Sequence, residues 1–453
     1  QFVNLNDADL KPAGWDSLTA PALAAPEDIV LYELHIRDFS IADASVPAEH
    51  RGKYTAFDVP GTAGRQHLQQ LATAGLTHVH VLPAFDFATV RENPADRVEL
   101  DDPVTKLCAK NTAAASLCVS DAGKTIRQAM QDAVAANQLD RPQQITEWMR
   151  DLDGFNWGYD PLHFGAPEGS YASNANGEAR ILEFRRMVKG LNEIGLRTVM
   201  DVVYNHTNAS GQNPRATLDR LVPGYYHRRD DNTGNVFKDS CCDDTAAEFA
   251  MMEKLMVDTG VTWVRDYKVS GFRFDIMTFH PLASMQKFQD AVEAVDPSVY
   301  IYGEGWNFGA VQDDKRFTTA RQANLGGTGI GSFSDRIRDP VRGGGPFDSG
   351  ANHVLNQGFI SGWFYAPNAV NSGSSAERQA LIEDSDNIRA WLAGGLASYR
   401  FTDASGADTT GADVDYRGQQ SGYTKDPQEA VNYISKHDNE TIWDISQYKH
   451  ATG

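Results

Sequence analysis

Short apolar runs rich in β-branched and aromatic residues alternate with longer amphipathic segments along almost the whole chain. Seven of these runs have the length and composition of buried strands, and they begin near residues 29, 77, 197, 271, 299, 332 and 431. Strands that alternate with helices pair in parallel, because each helix carries the chain back across the sheet. We therefore expect an α/β fold, a (β/α)8 TIM barrel that lacks its last strand here. The eighth strand is expected beyond Gly453.

The sequence also predicts approximate bounds for these elements. Helices are predicted at Arg65–Leu76, Ile181–Gly195, Thr245–Tyr267, Pro281–Val295 and Ser374–Leu396. Strands are predicted at Ile29–Phe39, Thr77–Phe85, Leu196–His206, within Gly271–Pro281, and at Ser298–Trp306, Ser332–Asp339 and Val431–Glu440. The stretch 86–180, between the second and third strands, is too long for a loop. We expect it to form an insertion within a barrel domain that spans residues 27–453.

Composition argues against two classes of partner. The 453 residues include 41 Lys and Arg but 61 Asp and Glu, which gives a formal net charge of −20. Such a chain has no general electrostatic attraction to nucleic acid or to an anionic membrane, and we expect neither as a partner. No apolar run reaches about 18 residues, so we expect no membrane span. The first ten residues are polar and lack Met, which predicts a processed or excised piece of a longer protein.

The four cysteines form two close pairs, and neither spacing resembles a zinc site. Cys108 and Cys118 bracket a short polar loop, and we expect a disulfide between them, with two unrelated thiols as the alternative. The adjacent Cys241 and Cys242 leave three possibilities open: a vicinal disulfide, pairing elsewhere, or free thiols. Because disulfides persist in oxidising compartments, a secreted or cell-surface protein is expected.

Polar residues collect where the predicted strands end. In a parallel barrel these ends meet at one face, where active sites form. The residues are Asp201, Asn205 and His206 after the third strand, Arg273 and Asp275 on the fourth, Glu304 after the fifth, and His437 and Asp438 after the seventh.

Within GFRFDIMTFHP, Arg273 and Asp275 are two residues apart, so in a strand they point to the same side. Two carboxylates suffice to cleave a glycosidic bond, one attacking as an anion and one protonating the leaving oxygen. We expect Arg273 to lower the pKa of Asp275, which suits a nucleophile. The apolar neighbours of Glu304 are expected to raise its pKa, which suits an acid. Trp306 is a candidate wall or sugar-stacking surface.

At this point a family resemblance enters. DVVYNH, GFRFDIMTFHP, YIYGEGW and ISKHDN resemble, in order and approximate spacing, the four short regions of the α-amylase superfamily, glycoside hydrolase family 13. FNWGYDP resembles the signature of its α-1,6-debranching members, the type I pullulanases, and VLYELHIRDFS resembles their first barrel strand. DSCC and the long insertion resemble the large bacterial pullulanases and their limit-dextrinase relatives. The resemblance covers nearly the whole chain.

The resemblance implies retaining hydrolysis of α-1,6-glucosidic bonds in pullulan, amylopectin and limit dextrins through a covalent glycosyl-aspartate. It implies that Asp275 is the nucleophile, that Glu304 is the general acid/base, and that Asp438 is a third carboxylate that binds sugar hydroxyls. A retaining enzyme has its two catalytic carboxyl groups about 5–5.5 Å apart. The positions expected to bind substrate are Arg273, His206, His437, Tyr159 with the nearby Asp160, and Trp306; Asp201 and Asn205 are expected to support them.

The resemblance also implies parts that the chain does not contain, namely the last barrel strand, a C-terminal β-sandwich and upstream carbohydrate-binding modules. Residues 1–26 are expected to be the linker from those modules, and the remainder of the same enzyme is an expected partner. A structural Ca²⁺ is expected and an organic cofactor is not. Its ligands stay unknown, with Asp239, Asp243 and Asp244, or the Asp86–Asp102 loop, as oxygen sources.

Several alternatives remain at the level of sequence. An isoamylase-like or α-1,4-amylase specificity, or a transferase, would use the same carboxylates, although FNWGYDP argues against a plain amylase. A catalytically inactive α-glucan-binding protein is a further alternative, and the three filled catalytic positions argue against it. His280, Trp157 and Phe308 are each open between sugar contact and packing.

Overall fold

The computed structural model describes residues 2–450, and its centre is a seven-stranded parallel sheet. The strands are β1 (Leu31–Leu34), β2 (His78–Val81), β3 (Arg197–Val202), β4 (Gly271–Phe274), β5 (Tyr300–Gly303), β6 (Gly331–Phe333) and β7 (Ala430–Val431). Each strand pairs in parallel with the next one along the chain. All seven predicted strands are present, and the prediction of an incomplete (β/α)8 barrel is confirmed.

Helices connect the strands and cover the outside of the sheet. The α-helices are Ile36–Ser40, Ala63–Thr73, Val104–Lys110, Ala115–Ser120, Ile126–Ala135, Asp140–Met149, Ala179–Asn192, Thr217–Leu221, Ala250–Tyr267, Leu282–Glu293, Gln322–Leu325, Asp335–Arg342, Asn352–Leu355, Ser375–Leu392 and Ile442–Lys449. Four antiparallel strand pairs lie outside the sheet: Phe85–Phe87 with Pro161–Pro167, His206–Thr207 with Asp243–Asp244, Arg400–Thr402 with Asp408–Thr410, and Asp415–Tyr416 with Gln419–Gln420. Within residues 2–450, none of these helices combines the length and apolarity that a bilayer crossing requires.

Successive side chains of the barrel strands belong to two separate cores, as the period of two in a strand requires. Met200, Phe272 and Ile301 are register partners in adjacent strands, and they pack into the large core shared with the helices. Val199 and Tyr300 belong instead to a smaller apolar cluster with residues of β6 and β7. Charged residues that occupy the same alternate strand positions as Val199 and Tyr300 therefore point into the barrel.

The barrel is open between β1 and β7. A cavity of ≈ 650 Å³ lies along this gap, and its lining includes Leu31, Glu33, Tyr302 and Val431. At the carboxyl ends of the strands the gap is bridged by Glu33, which accepts hydrogen bonds from the backbone N–H of His437 (2.6 Å) and from its Nδ1 (2.9 Å). The first and last strands are thus tied together beside the predicted site.

The stretch 86–180 contains a small core of its own. Ten buried residues between Val98 and Leu152 form an apolar cluster separate from the barrel cores, carried by the four helices between Val104 and Met149. Cys108 and Cys118 flank this cluster and are paired, with Cα atoms 6.4 Å apart. Strand Pro161–Pro167 then pairs with Phe85–Phe87 and returns the chain to the barrel. The predicted domain bounds stay predictions.

The first residues described pack against the barrel helices. Leu10 and Trp15 are buried in the large core, and the carbonyl of Leu10 accepts a hydrogen bond from Arg185 Nη1 at 2.7 Å. The guanidinium of Arg185 also lies over the Trp15 ring, 5.6 Å from its centroid. This segment is therefore attached to the barrel, and its predicted role as a linker stays a prediction.

Three predicted strands are wrong in extent. Ile29–Phe39 ends as a strand at Leu34, because His35 caps a helix that begins at Ile36 and accepts a hydrogen bond from Asp38 N–H. Ser332–Asp339 is a strand only to Phe333, and its charged half is helical. Val431–Glu440 contributes only Val431 to the strand Ala430–Val431 and continues as a loop. Polar residues that follow a barrel strand leave the sheet, so they form the loops and helix starts of the site.

Candidate active site

The register of the sheet brings the charged strand residues into one layer. Asp201 on β3 is the partner of Arg273 on β4, and Arg273 is the partner of Tyr302 on β5. Partners in adjacent parallel strands point to the same face, so all three face the barrel interior. Asp275 and Glu304 follow one residue after β4 and β5, at the carboxyl end of this layer.

Arg273 is the central cation of the site and is completely buried. Its Nη1 lies 2.9 Å from Asp201 Oδ1 and 3.1 Å from Asp275 Oδ1, and its Nη2 lies 2.7 Å from Glu304 Oε1. A guanidinium can serve several carboxylates at once because its N–H groups diverge in one plane. The structure therefore brings Asp275 and Glu304 together around one arginine.

The expected pKa directions of the two carboxyl groups are wrong. Burial and the negative charge of Glu304 outweigh Arg273 and raise the pKa of Asp275. Burial alone would also raise the pKa of Glu304, but Arg273 and Lys436 together hold it well below its usual value. The sequence reasoning failed because it assigned Arg273 to Asp275 alone and did not anticipate Lys436 beside Glu304.

The backbone after Asp275 also contacts Glu304. Ile276 has φ 36° and ψ 55°, a left-handed conformation that is rare for a β-branched residue. Its amide N–H donates to Glu304 Oε2 at 3.2 Å. Strained backbone of this kind concentrates at functional sites, where surrounding contacts hold it in place.

Lys436 was not singled out from the sequence, yet it lies at the centre of the site. Its Nζ is 3.0 Å from Glu304 Oε1 and also pairs with Asp438 Oδ2. Only 6% of its side chain is exposed, whereas half of the Asp438 side chain is exposed to the cleft. Glu304, the two cations and Asp438 thus form a continuous charged row that ends at solvent.

Two aromatic rings form a flat surface beside these carboxylates. The rings of Tyr159 and His437 are stacked, with centroids 5.0 Å apart and planes inclined by 26°. The Tyr159 hydroxyl donates to Asp201 Oδ2 at 2.7 Å, and Arg273 lies over the same ring at 5.6 Å. Glu33 fixes His437, and the hydrogen bond and charge of this histidine help hold the pKa of Glu33 at about 2, although burial opposes that shift.

His206 is linked to the same group of residues. Its Nε2 donates to the Tyr159 carbonyl at 2.6 Å, and its Nδ1 lies 3.0 Å from Asn205 Nδ2. Asn205 Nδ2 also donates to Asp275 Oδ2 at 3.0 Å. Asn205 therefore orients both the candidate nucleophile and a candidate sugar-binding histidine.

The remaining two predicted positions differ from each other. Trp306 lies on a cavity of ≈ 650 Å³ that is also lined by Glu304 and Asp438, and its ring packs against the guanidinium of Arg338 at 5.6 Å. Asp160 is directed to Thr89 and not to the catalytic candidates, because its Oδ2 accepts a hydrogen bond from Thr89 Oγ1 at 2.5 Å. Burial raises the pKa of Asp160. Among the interactions of residues 2–450, no hydrogen bond or ion pair joins Asp160 to the three catalytic candidates.

The three undecided side chains fall into two groups. His280 is completely buried, with Nδ1 3.1 Å from the Met277 carbonyl, so it packs at the start of the following helix. Phe308 lines the same cavity as Glu304. Trp157 is 41% exposed and meets the ring of His437 edge-on at 5.5 Å, which places it at the rim of the flat surface.

Comparison with known proteins decides the family. Residues 87–155 match the family model described as the pullulanase Ins domain. The chain is 44% identical over its whole length to a pullulanase from Klebsiella aerogenes and 42% identical over 99% of its length to pullulanase 1, chloroplastic, from Arabidopsis thaliana. It spans 42% and 44% of those two proteins. The chain belongs to the pullulanase family.

A solved structure gives the same result. PulA from Klebsiella pneumoniae, solved as a maltotriose complex, superposes on this chain with a TM-score of 0.94 at 43% sequence identity. The match covers 99% of this chain and 49% of that one.

Two groups of side chains in this pullulanase-family chain have metal-ligand spacing within residues 2–450. The first is His206 with the paired Cys241 and Cys242, and Cys241 Sγ lies 3.8 Å from His206 Nε2. Sulfur atoms that are bonded to each other are not available as thiolate ligands. This group therefore does not fit a metal in its oxidised form.

The second group, which we call the junction cluster, consists of Asp86, Glu92 and Glu168, where the insertion meets the barrel. Arg180 already occupies it, at 3.1 Å from Asp86 Oδ1 and 2.8 Å from Glu92 Oε2. Both carboxylate oxygens of Glu168 accept backbone N–H groups. The junction cluster therefore does not fit a calcium ion, which requires several free oxygens.

Sequence reasoning missed three residues that this pullulanase-family site uses. Lys436 and Glu33 are described above, and His80 on β2 donates from Nε2 to Asp201 Oδ2 at 3.1 Å. A signal was present for Glu33 and His80, because each is a polar residue in an apolar strand at the position that points inward. Lys436 carried no comparable signal, because it lies in a loop without periodicity.

Proposed function

We propose that the complete enzyme hydrolyses α-1,6-glucosidic bonds in pullulan, amylopectin and limit dextrins with retention of anomeric configuration. The observation that carries this proposal is that Glu304 and Asp438 line one open cavity and are joined by Lys436, while Asp275 shares Arg273 with Glu304. The relatives named pullulanase support the debranching specificity, and a relative solved with maltotriose supports an α-glucan substrate. Because the chain spans less than half of each relative, the activity is assigned to the whole protein.

In the proposed reaction Asp275 attacks the anomeric carbon as the carboxylate. Glu304 gives a proton to the glycosidic oxygen, and the C–O bond breaks to leave a glycosyl ester on Asp275. Glu304, now ionised, takes a proton from water, whose oxygen attacks the same carbon and releases Asp275. Arg273 lies against both carboxylates, so it balances negative charge in both steps.

Sugar binding is assigned to the surface around these groups. Tyr159 and His437 supply a flat surface on which the sugar ring stacks. Asp438 is half exposed and accepts hydrogen bonds from sugar hydroxyls, and Trp306 lines the far wall. His206 contributes the edge of its imidazole ring to sugar binding. Asp160 acts through the loop that carries Tyr159, since within residues 2–450 no hydrogen bond or ion pair joins it to the three catalytic carboxylates.

The test is product analysis on pullulan with the full-length enzyme beside its Asp275→Asn variant. Maltotriose from the parent and none from the variant is the expected result, and it assigns α-1,6 endo-cleavage to Asp275. Shortening of linear amylose without release from pullulan would assign the same carboxylates to an α-1,4 specificity and reject the proposal.

The open edge of the barrel supports a partner for this chain. We infer that an eighth strand from the remainder of the enzyme closes the gap between β1 and β7, since within residues 2–450 each of these strands has an unpaired edge along a cavity. The length of the relatives supports this inference, because they are more than twice as long as the chain. Full-length protein is therefore the form to assay.

A structural Ca²⁺ is proposed at Asp239 and Asp244, with no organic cofactor. Asp244 is completely buried, its Oδ2 has no hydrogen-bond partner within residues 2–450, and burial raises its pKa to about 7. Asp239 is hydrogen-bonded to it through its backbone N–H. Such an oxygen is a fitting ligand for a hard cation, whose charge would keep Asp244 ionised.

We expect a calcium chelator to lower the melting temperature of the parent but not of Asp244→Asn. Equal effects on both proteins would reject this calcium site.

Secretion or attachment at the cell surface is proposed on the cysteine pairs. Cys108 pairs with Cys118 and Cys241 with Cys242, and we infer that both pairs are disulfides in the mature enzyme. Thiol counting on enzyme purified from culture supernatant without reductant tests this, and we expect no free thiol among these four residues.

A further inference from the structure

Lys436 contacts the candidate acid on one side and a solvent-facing carboxylate on the other. Its Nζ lies 3.0 Å from Glu304 Oε1 and pairs with Asp438 Oδ2, and its ammonium lies over the Phe333 ring at 5.6 Å. The other charged or titratable groups that face it within residues 2–450 are Arg273, Tyr433 and Glu33. Because the ammonium is almost fully buried, its interaction with Glu304 is weakly screened by solvent.

The two cations are divided unequally between the two reacting carboxyl groups. Glu304 is contacted by both, with Arg273 at 2.7 Å and Lys436 at 3.0 Å, and by one backbone N–H. Asp275 is contacted by Arg273 alone, at 3.1 Å, and by the amide of Asn205. These contacts favour ionised Glu304 over ionised Asp275 in the empty site.

This distribution is the reverse of what the reaction requires, since the nucleophile must be ionised and the acid protonated. The partner that Glu304 can lose is Lys436, because this lysine is already shared with Asp438, the carboxylate that faces the cleft. A sugar hydroxyl bound by Asp438 would offer the ammonium an oxygen in place of Glu304 Oε1.

We propose that Lys436 is a positioning residue that keeps Glu304 ionised in the empty site and releases it when a sugar hydroxyl binds at Asp438. The released Glu304 carboxylate then gains a proton while Asp275 loses one, so the net protonation of the site is unchanged. The enzyme thereby acquires its reactive protonation state only when substrate is present. This inference rests on the proposed function and deepens it.

The test uses the pH profile of kcat/KM on pullulan, which reports the free enzyme. Full-length parent is compared with Lys436→Met, Lys436→Arg and a matched control, Lys254→Met. Lys254 has 61% of its side chain exposed and pairs with Asp258 on its own helix. Removing the ammonium favours the protonated carboxyl groups. We expect both limbs of the Lys436→Met profile to move to higher pH by about one unit. Lys436→Arg and Lys254→Met should keep the limbs of the parent.

A lower rate for Lys436→Met with both limbs unchanged would reject the proposal and leave Lys436 a purely structural residue. If Lys436→Met does not fold, Lys436→Gln replaces it, with folding checked by circular dichroism.

A second experiment, infrared difference spectroscopy of the parent with added maltotriose, needs no Lys436 variant. We expect one protonated-carboxyl band to be lost and another gained, and no loss in Asp275→Asn; an unchanged carboxyl region would also reject the proposal. A parent that releases nothing from pullulan rejects the proposed function instead, while the infrared experiment still reports on the proton.

Discussion

The active site and the junction cluster are built from the same parts but have different properties. Each places buried carboxylates around one arginine, Arg273 in the active site and Arg180 in the junction cluster. In the junction cluster, neighbouring backbone N–H groups occupy the carboxylate oxygens, including two N–H groups on Glu168. In the active site the row of charges ends at a half-exposed carboxylate on a cavity of ≈ 650 Å³. Buried acids become chemically available when the surrounding protein leaves one of them open to a ligand.

The largest expected contrast comes from Asp275→Asn. It removes the nucleophile and should lower kcat on pullulan by about 10⁴-fold or more, while the melting temperature is kept because the amide has the same shape. Asp290→Asn, on the exposed face of helix Leu282–Glu293, is the control and should keep full activity. If Asp275→Asn kept more than a tenth of the parental activity, Asp275 would not be the nucleophile. The active site would then not differ from the junction cluster in chemical role.

Arg180→Met tests the opposite side of the comparison. Loss of this cation leaves the buried Asp86 with His163 as its partner and removes the cation beside the half-buried Glu92, and we expect unfolding to become easier by up to about 3–5 kcal/mol. Urea denaturation and kcat/KM are measured together, and kcat/KM of the folded enzyme should match the parent. Arg186→Met, on the same helix and 37% exposed, should cost at most about 1 kcal/mol. If Arg180→Met lost activity at full stability, the junction cluster would have to be counted as part of the functional site.

Tyr159→Phe sharpens the comparison inside the active site. The variant keeps the ring stacked on His437 but loses the hydrogen bond of 2.7 Å to the buried Asp201. That carboxylate keeps His80 and Arg273 as donors, so we expect the loss of one hydrogen bond to a charged group, worth about 1.5–3 kcal/mol, to lower kcat/KM by about tenfold. Steady-state kinetics on pullulan measure this. A loss as large as that of Tyr159→Ala would show that the hydroxyl, and not the ring, carries the role.

Glu168→Gln carries a constant cost, because its NH2 group faces a backbone N–H, and the effect to be measured is the smallest one, a change with pH. Burial raises the pKa of Glu168 from its usual 4.5 to about 8, so its contribution to stability is fully present below pH 4.5 and is lost as the pH rises through 8. We expect the melting temperature of the parent to fall by a few degrees relative to Glu168→Gln between pH 5 and pH 9. Glu147→Gln, with 61% of its side chain exposed, is the control and should follow the parent. Parallel curves for parent and Glu168→Gln would show that Glu168 is ionised throughout.

The strands and their carboxyl ends were predictable because the sequence encodes them locally. A period of two, Gly at the start of β4 and polar residues directly after β4 and β5 are enough to locate Asp275 and Glu304 at one face. Helix Asp335–Arg342 was predicted as part of a strand. Its buried Arg338 is paired with the neighbouring Asp339, and a pattern of apolar residues does not reveal such a buried ion pair. The pKa directions were also beyond the sequence. They depend on which carboxylate Lys436 approaches, and that contact joins residues 132 positions apart.

The contact between Glu33 and His437 joins residues separated by 404 positions. During translation the ribosome must therefore complete almost all of the chain before the histidine that stacks on Tyr159 can meet the carboxylate that orients it. Nascent chains and proteolytic fragments that lack either end cannot assemble this surface. The proposed cleavage of pullulan would therefore report complete folding as well as catalysis.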